Sequence, residues 1–228
     1  MGSGTLFVVA TPIGNLSDIT FRALKTLKEV DVIACEDTRH TLKLLNHYEI
    51  KKPLLSCRSH NEAAAAERII ELLQDDQDVA YVSDAGTPGV SDPGATLIRM
   101  VRQEDLPILP IPGVSALTTL LSVASFSGRG VRFDGFTSPK TGKRKKRIQE
   151  LLEGGESFIL YESPHRIVKL LADLADLEPQ RQVLIGREMT KMHEEYVEGS
   201  AFALFEAFSS RQSIKGELVI LVSGKKKR

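Results

Sequence analysis

Short apolar runs and amphipathic helical patterns alternate along the first half of the chain, and that rhythm admits few folds. Leu6-Phe-Val-Val-Ala10 reads as a buried strand, and Phe21, Leu24, Leu27 and Val30 recur at helical spacing over roughly 18–29, with Ser17 and Asp18 as N-caps. Val32-Ile-Ala34 is a second strand and 38–47 a second helix. Pro53–Ser56 is a third strand, Asn61–Gln74 a helix, and Val79–Val82 and Pro107–Pro110 two further strands. Strands separated by helices predict a mainly parallel sheet covered by helices.

The second half alternates less regularly. Val131–Phe136 and Ser157–Tyr161 read as strands around a basic helix near 143–153, and Pro164–Ala175 as a helix. Val183–Gly186, Glu195–Glu198 and Glu217–Val222 read as strands too closely spaced for a crossover helix each time, which predicts a mixed sheet. The reading is α/β in two domains, 1–114 and 115–228.

Charge divides along the same line. Residues 1–125 hold 11 Lys/Arg against 16 Asp/Glu, and residues 126–228 hold 19 against 14, although the whole chain is neutral. A neutral protein with a basic half can turn one face to nucleic acid. No apolar run reaches the ~20 residues that span a bilayer. The run from Leu6 also lacks the basic flank of a secretory signal. The expected compartment is the cytoplasm, without membrane attachment. Cys35 and Cys57 lack metal-ligand spacing, as do the five histidines, so no metal is expected.

In an open parallel sheet, ligands bind beyond the carboxyl ends of the strands. Three loops there are unusual. Thr11-Pro-Ile-Gly-Asn15 turns tightly on Pro12 and Gly14 and presents main-chain amides, without being a dinucleotide fingerprint or a P-loop. Ser83–Gly94 packs three Gly, two Pro and two Asp into twelve residues, where an ordinary connection needs roughly 2–6. Asp84 within it is placed for a hydroxyl or an amine. Ile111-Pro-Gly-Val-Ser-Ala116 turns on Pro-Gly into a helix whose free amides a ligand can approach at Ser115 and Ala116.

Other positions carry charge. Glu36-Asp-Thr-Arg39 follows the second strand and offers carboxylates for acid/base work, or simply a solvated helix start. Lys140–Arg147 holds six basic residues in eight (Lys140, Lys143, Arg144, Lys145, Lys146 and Arg147) and suits phosphate contact. Glu162-Ser-Pro-His-Arg166 brings His165 and Arg166 to a helix start, placed for a phosphate or a base.

Together these loops resemble one family. Val9-Ala-Thr-Pro-Ile-Gly-Asn-Leu16, Glu36–Arg39, His60-Asn-Glu62, Ser83–Gly94, Glu162–Arg166 and Gly216-Glu-Leu-Val219 occur in the order found in the ribosomal small-subunit RNA 2′-O-ribose methyltransferases, a branch of the tetrapyrrole methylase superfamily. The resemblance covers nearly the whole chain. It implies a two-domain tetrapyrrole methylase-like fold, with an N-terminal mainly parallel sheet and a C-terminal mixed sheet flanked by helices. S-adenosyl-L-methionine would lie between the domains of a homodimer. Pro12, Gly14, Asp84, Ala85, Gly86, Thr87, Val90, Ser115 and Ala116 would hold the cofactor. The substrate would be a cytidine 2′-hydroxyl in small-subunit rRNA, with Glu36 and Asp37 to take its proton. Arg39, Arg166 and Lys191 would hold phosphate or the target nucleotide.

The chain departs from the family pattern at three places. Val114 stands where Pro is usual, Gly135–Lys140 replaces a Gly-Phe-Leu-Pro pattern, and the chain stops soon after Val222 where many relatives continue. RNA affinity should therefore rest on the basic run. A small-tetrapyrrole methyltransferase would not need that run, and a non-catalytic ribosome-assembly factor would not need the Ser83–Gly94 loop.

Overall fold

Val79-Ala-Tyr-Val82 has all four side chains buried, and it forms the middle strand of a five-stranded parallel sheet. In the computed structural model, which describes residues 2–126 and 130–225, the chain divides into two units, one ending at Ser115 and the other starting at Ala116. The first unit runs β1 (Leu6–Val9), α1 (Phe21–Glu29), β2 (Val32–Cys35), α2 (Thr38–His47), β3 (Leu54–Ser56), α3 (Glu62–Gln74), β4 (Val79–Val82), α4 (Ala95–Gln103) and β5 (Ile108–Ile111). The strand order is β3-β2-β4-β1-β5.

That order fixes where the helices go. The chain moves one way across the sheet from β1 through β2 to β3, then the other way from β3 through β4 to β5. Right-handed crossovers therefore place α1 and α2 on one face and α3 and α4 on the other. Two separate cores result. Ala23, Leu27 and Leu45 pack with Val9, Ile33 and Ala80 on one side. Ile69, Leu73, Leu97 and Val101 pack with Leu6, Val79 and Tyr81 on the other. Pro110 is tolerated in β5 because that strand is at an edge of the sheet.

The second unit runs α5 (Ala116–Ser122), β6 (Val131–Phe136), α6 (Thr141–Gly154), β7 (Ser157–Glu162), α7 (Ile167–Leu177), β8 (Gln182–Arg187), β9 (Glu195–Ser200), α8 (Ala201–Ser209) and β10 (Leu218–Val222). Its sheet has the order β6-β7-β10-β8-β9. Only β6 and β7 run parallel; the other neighbours are antiparallel, so the sheet is mixed. Ile148, Leu151, Leu170, Leu174, Leu204 and Phe208 of α6, α7 and α8 share one core with Phe158, Ile185 and Ile220 of the sheet. No helix among the described residues is long and apolar enough to cross a membrane.

Two local expectations need correction, the cap of α1 and the interval before β10, and one helix, α4, was not expected from the sequence. Helix α1 begins at Phe21, and its cap is Thr20, whose Oγ1 accepts the Ala23 N–H at 3.0 Å. Ser17 and Asp18 instead form a short 3-10 turn capped by Asn15. Helix α4 starts directly behind the Ser83–Gly94 loop with no local side-chain cap. Its cap comes from Glu62 at the start of α3, where Oε1 accepts the N–H groups of Gly94, Thr96 and Leu97 at 3.0, 2.8 and 3.0 Å. Helix α8 fills the interval between β9 and β10 that reads in sequence as too short for one. It is apolar nearly all round, so its sequence lacks a polar stripe.

Candidate active site

All five strands of the first sheet point the same way, so the loops after β1, β2, β4 and β5 gather at one edge. Adjacent β1 and β4 send their chains in opposite directions, the topology that opens a crevice at strand ends.

The three Pro/Gly loops are bonded to one another there. Thr11 and Gly86 exchange both main-chain hydrogen bonds, at 2.9 and 3.0 Å, and Thr11 Oγ1 donates to the Ser83 carbonyl at 3.3 Å. Thr87 Oγ1 donates to the Val114 carbonyl at 3.2 Å, which joins the loop after β4 to the loop after β5. Gly86 holds a φ of +78°, and a Cβ there would lie 3.3 Å from Ile13 Cγ2. At Gly113 a Cβ would lie 3.0 Å from the Ala10 methyl. Both glycines let neighbouring loops close on each other. Pro12 and Gly86 are buried in this junction, Gly14, Ala85 and Val90 are exposed, and Asp84, Thr87, Ser115 and Ala116 are half-buried.

The Glu36-Asp37 turn belongs to the same edge. Asp84 Oδ1 accepts the Asp37 N–H at 3.0 Å. Arg58 Nε donates to the Glu36 carbonyl at 3.0 Å. The two carboxylates then diverge in chemistry. Asp37 caps α2 by accepting the Arg39 N–H at 2.9 Å, and it pairs with the Arg39 guanidinium through both oxygens, at 3.2 and 2.9 Å. These bonds hold its carboxyl well below the usual range. Asp37 is thus a weak proton acceptor, and Arg39 is paired with it while 84% of its side chain stays exposed. The Glu36 carboxyl is raised, first by burial and then by the negative charges of Asp84 and Asp92. Of the two, Glu36 is the better base.

In the second unit the parallel strands β6 and β7 end side by side. Arg166 Nη2 donates to the Thr137 carbonyl at 2.6 Å and to Thr137 Oγ1 at 3.1 Å, and it pairs with the fully buried Glu162 carboxylate at 3.0 Å. Arg166 is therefore first a brace between two strand ends, with a quarter of its side chain exposed. His165 beside it is exposed.

The basic run separates into two sets. Arg144 is buried, and its Nε donates to Asp173 Oδ2 on α7 at 2.7 Å. It is a core ion pair and no RNA contact. Arg147 pairs with Asp134 and with Glu150, and Lys145 with Asp176. Arg147 is thereby largely withdrawn from phosphate binding. Lys140, Lys143 and Lys146 are exposed and have no acidic partner among the described residues. Lys191 is neutralised by Glu188 and Glu217, at 2.8 and 2.9 Å, in the β8–β9 turn.

Reading the sequence did not single out Arg58, Glu62 or Glu162. The first two sit on or beside the His60-Asn-Glu62 motif and the third opens the Glu162–Arg166 motif, so a signal was present. Apart from Arg166, which pairs with Glu162 four residues on, the partners that reveal them lie 22 to 35 residues away in the chain.

Residues 5–204 match the Tetrapyrrole (Corrin/Porphyrin) Methylases family. The chain is 47% identical over 219 residues to Ribosomal RNA small subunit methyltransferase I of Borrelia garinii subsp. bavariensis, covering 96% of this chain and 98% of that protein. Its counterpart in Thermotoga maritima is 42% identical over 222 residues, covering 97% and 99%. Among solved structures, the methyltransferase CobJ superposes with a TM-score of 0.73 at 18% identity, covering 99% of this chain and 96% of that one. Uroporphyrin-III C-methyl transferase from Thermus thermophilus, complexed with S-adenyl homocysteine, superposes at 0.66 with 16% identity and 96% of each chain. These two likenesses concern the fold.

Proposed function

Because the chain belongs to the tetrapyrrole methylase family, in its branch of S-adenosylmethionine-dependent methyltransferases of small-subunit ribosomal RNA, we propose that the bonded loops after β1, β4 and β5 hold the cofactor and that Glu36 deprotonates a cytidine 2′-hydroxyl. The carrying observation is the junction itself: Thr11 with Gly86, and Thr87 with Val114, at the strand ends where the topology opens a crevice.

The residues present fit the cofactor by charge. S-adenosylmethionine is a net cation, and Glu36, Asp84 and Asp92 set up a negative field whose strain is visible in the raised Glu36 carboxyl. Exposed Gly14, Ala85 and Val90 present short or apolar surface beside main-chain polar groups, which suits adenosine and a methionine chain. Ser115 and Ala116 stand at the start of α5. When bound, the cofactor supplies a methyl group already activated by a sulfonium.

The protein's share of the work is positional. The three tied loops fix the methyl donor, and Asp84 and Arg58 fix the Glu36 turn by its main chain. Holding the reacting oxygen in line with the methyl group replaces a bimolecular encounter by an oriented one. Removing the hydroxyl proton at the Glu36 carboxylate leaves the ribose oxygen nucleophilic as the bond forms. Exposed Lys140, Lys143 and Lys146 supply the cationic surface for phosphate, and exposed His165 in the same unit is a further polar contact.

A small-subunit substrate assigns the reaction to the cytoplasm. We also take the enzyme to be a homodimer, as the resemblance to its family implies; Phe21 in the first unit and Phe202 in the second are exposed apolar side chains available to a partner copy. The deciding experiment is transfer of labelled methyl groups to small subunits from cells lacking the enzyme, with mapping of the product. One 2′-O-methylated cytidine in the small-subunit RNA is the expected result. Labelling of a base, or no labelling of small subunits, overturns the assignment.

A further inference from the structure

Phe136, the last residue of edge strand β6, has 62% of its surface exposed, and its place is built by a local irregularity. In a regular strand, residues three apart point to opposite faces. Here a bulge lies between Phe133 and Gly135, and Gly135 takes a φ of +68°. The extra residue restores the phase, so Phe133 and Phe136 reach the same side. Both rings pack edge-on against Tyr161 of β7, with centroids 5.0 and 5.7 Å away and interplanar angles of 66° and 73°. Phe136 is thus an exposed ring held at its root by a second aromatic.

Its neighbours carry positive charge. The next residue, Thr137, is clamped through its carbonyl and hydroxyl by Arg166, which is itself anchored on buried Glu162. The connection then leads to exposed Lys140 and Lys143 at the start of α6. A fixed aromatic ring followed by unpaired ammonium groups matches the way proteins grip single-stranded RNA, with a base stacked on the ring and phosphates on the cations. An apolar protein partner would instead have to desolvate those lysines.

We propose that Phe136 is a stacking platform for an unpaired base of the RNA substrate, with Lys140 and Lys143 on the adjoining phosphates and Arg166 as the positioning residue that sets the ring's turn. The inference rests on the RNA-methyltransferase reading for its biological substrate, but the stacking itself can be measured apart from methyl transfer.

The test uses the full-length protein, a single-stranded oligocytidylate as probe, and small subunits as substrate. Phe136→Ala should weaken oligonucleotide binding by roughly tenfold to a hundredfold and raise KM for small subunits, with S-adenosylmethionine affinity and the salt slope of binding unchanged. Phe136→Tyr should restore both. The chain contains no tryptophan, so Phe136→Trp introduces a single indole fluorophore, which the oligonucleotide should quench on stacking. Wild-type affinity in Phe136→Ala, an unquenched indole signal in a binding-competent Phe136→Trp variant, or no oligonucleotide binding by the wild type overturns the proposal. If the wild type methylates small subunits while Phe136→Ala keeps its KM and affinity, the platform falls and the enzymatic reading stands. If Phe136-dependent binding is seen without methylation, the reverse holds.

Discussion

The carboxylate of Asp84 accepts the main-chain N–H of Asp37 at 3.0 Å, across 47 positions of sequence. That bond ties the loop after the central strand β4 to the turn that carries Glu36. It also places a negative charge near the Glu36 carboxyl, where it helps raise the affinity for a proton.

Replacing Asp84 by Ala should therefore have two effects. Loss of a hydrogen bond to a charged acceptor costs about 1.5–3 kcal/mol, read as a lower urea midpoint with an unchanged slope. The acid limb of the methyl-transfer rate should also shift to lower pH, because one of the charges opposing Glu36 ionisation is gone. A midpoint and a pH profile both equal to wild type would contradict the role given to Asp84.

The raised Glu36 carboxyl predicts a pH dependence of definite sign. Below the ordinary carboxylate value, Glu36 is protonated whether the chain is folded or not, and it costs no stability. As pH rises through its raised folded value, the unfolded chain ionises more readily, and stability is lost. Glu36→Gln should abolish that loss, so the variant gains stability relative to wild type as pH rises through this window. In activity the order reverses. For Glu36 as the proposed base, wild-type turnover should rise over the same window, and that of Glu36→Gln should fall by ~100-fold or more. Equal turnover of the two proteins near neutral pH would remove Glu36 as the base.

Gly86 combines a left-handed φ of +78° with a neighbouring methyl 3.3 Å from where a Cβ would stand. Gly86→Ala should cost about 1–2 kcal/mol through backbone strain alone. Gly86→Trp should abolish S-adenosylmethionine binding in protein that still folds, as checked by calorimetry alongside circular dichroism. Unchanged affinity in the folded Trp variant would place the cofactor elsewhere.

Neighbouring cations in α6 should behave in opposite ways. Arg144→Gln strands the Asp173 carboxylate in the core, which costs about 3–5 kcal/mol, and should leave the salt dependence of RNA binding as it was. Lys143→Gln with Lys146→Gln should barely alter stability, while the slope of log affinity against log salt falls by roughly 0.7 for each lost contact with a single strand. A flattened slope in Arg144→Gln, or none in the double lysine variant, would exchange their assignments.

What the sequence made legible was local, and what it hid was long-range. Strand β4 was legible as a strand because four consecutive apolar residues between turn signals fit a buried strand, while its place in the middle of the sheet was not. The Thr11–Asn15 and Ser83–Gly94 loops were legible because Pro and Gly announce unusual backbone by themselves. Helix α4 was not, because its amides are capped by Glu62 from the start of another helix. Arg144 read as one of six equivalent cations, since its partner Asp173 is 29 residues further on and faces it only once α6 and α7 pack. The Phe133–Tyr161–Phe136 cluster was hidden for a related reason: alternation counts residues in twos, and the bulge at Gly135 breaks the count.

The paired bonds between Thr11 and Gly86 form an isolated bridge outside the regular strands. They act as a rivet between two segments of main chain, each of which is a glycine-containing turn that could otherwise swing alone. Any separation of the two turns must then carry both segments together or break both bonds at once. The two turns are thereby made to move as one, and they inherit the stiffness of β1 and β4 behind them.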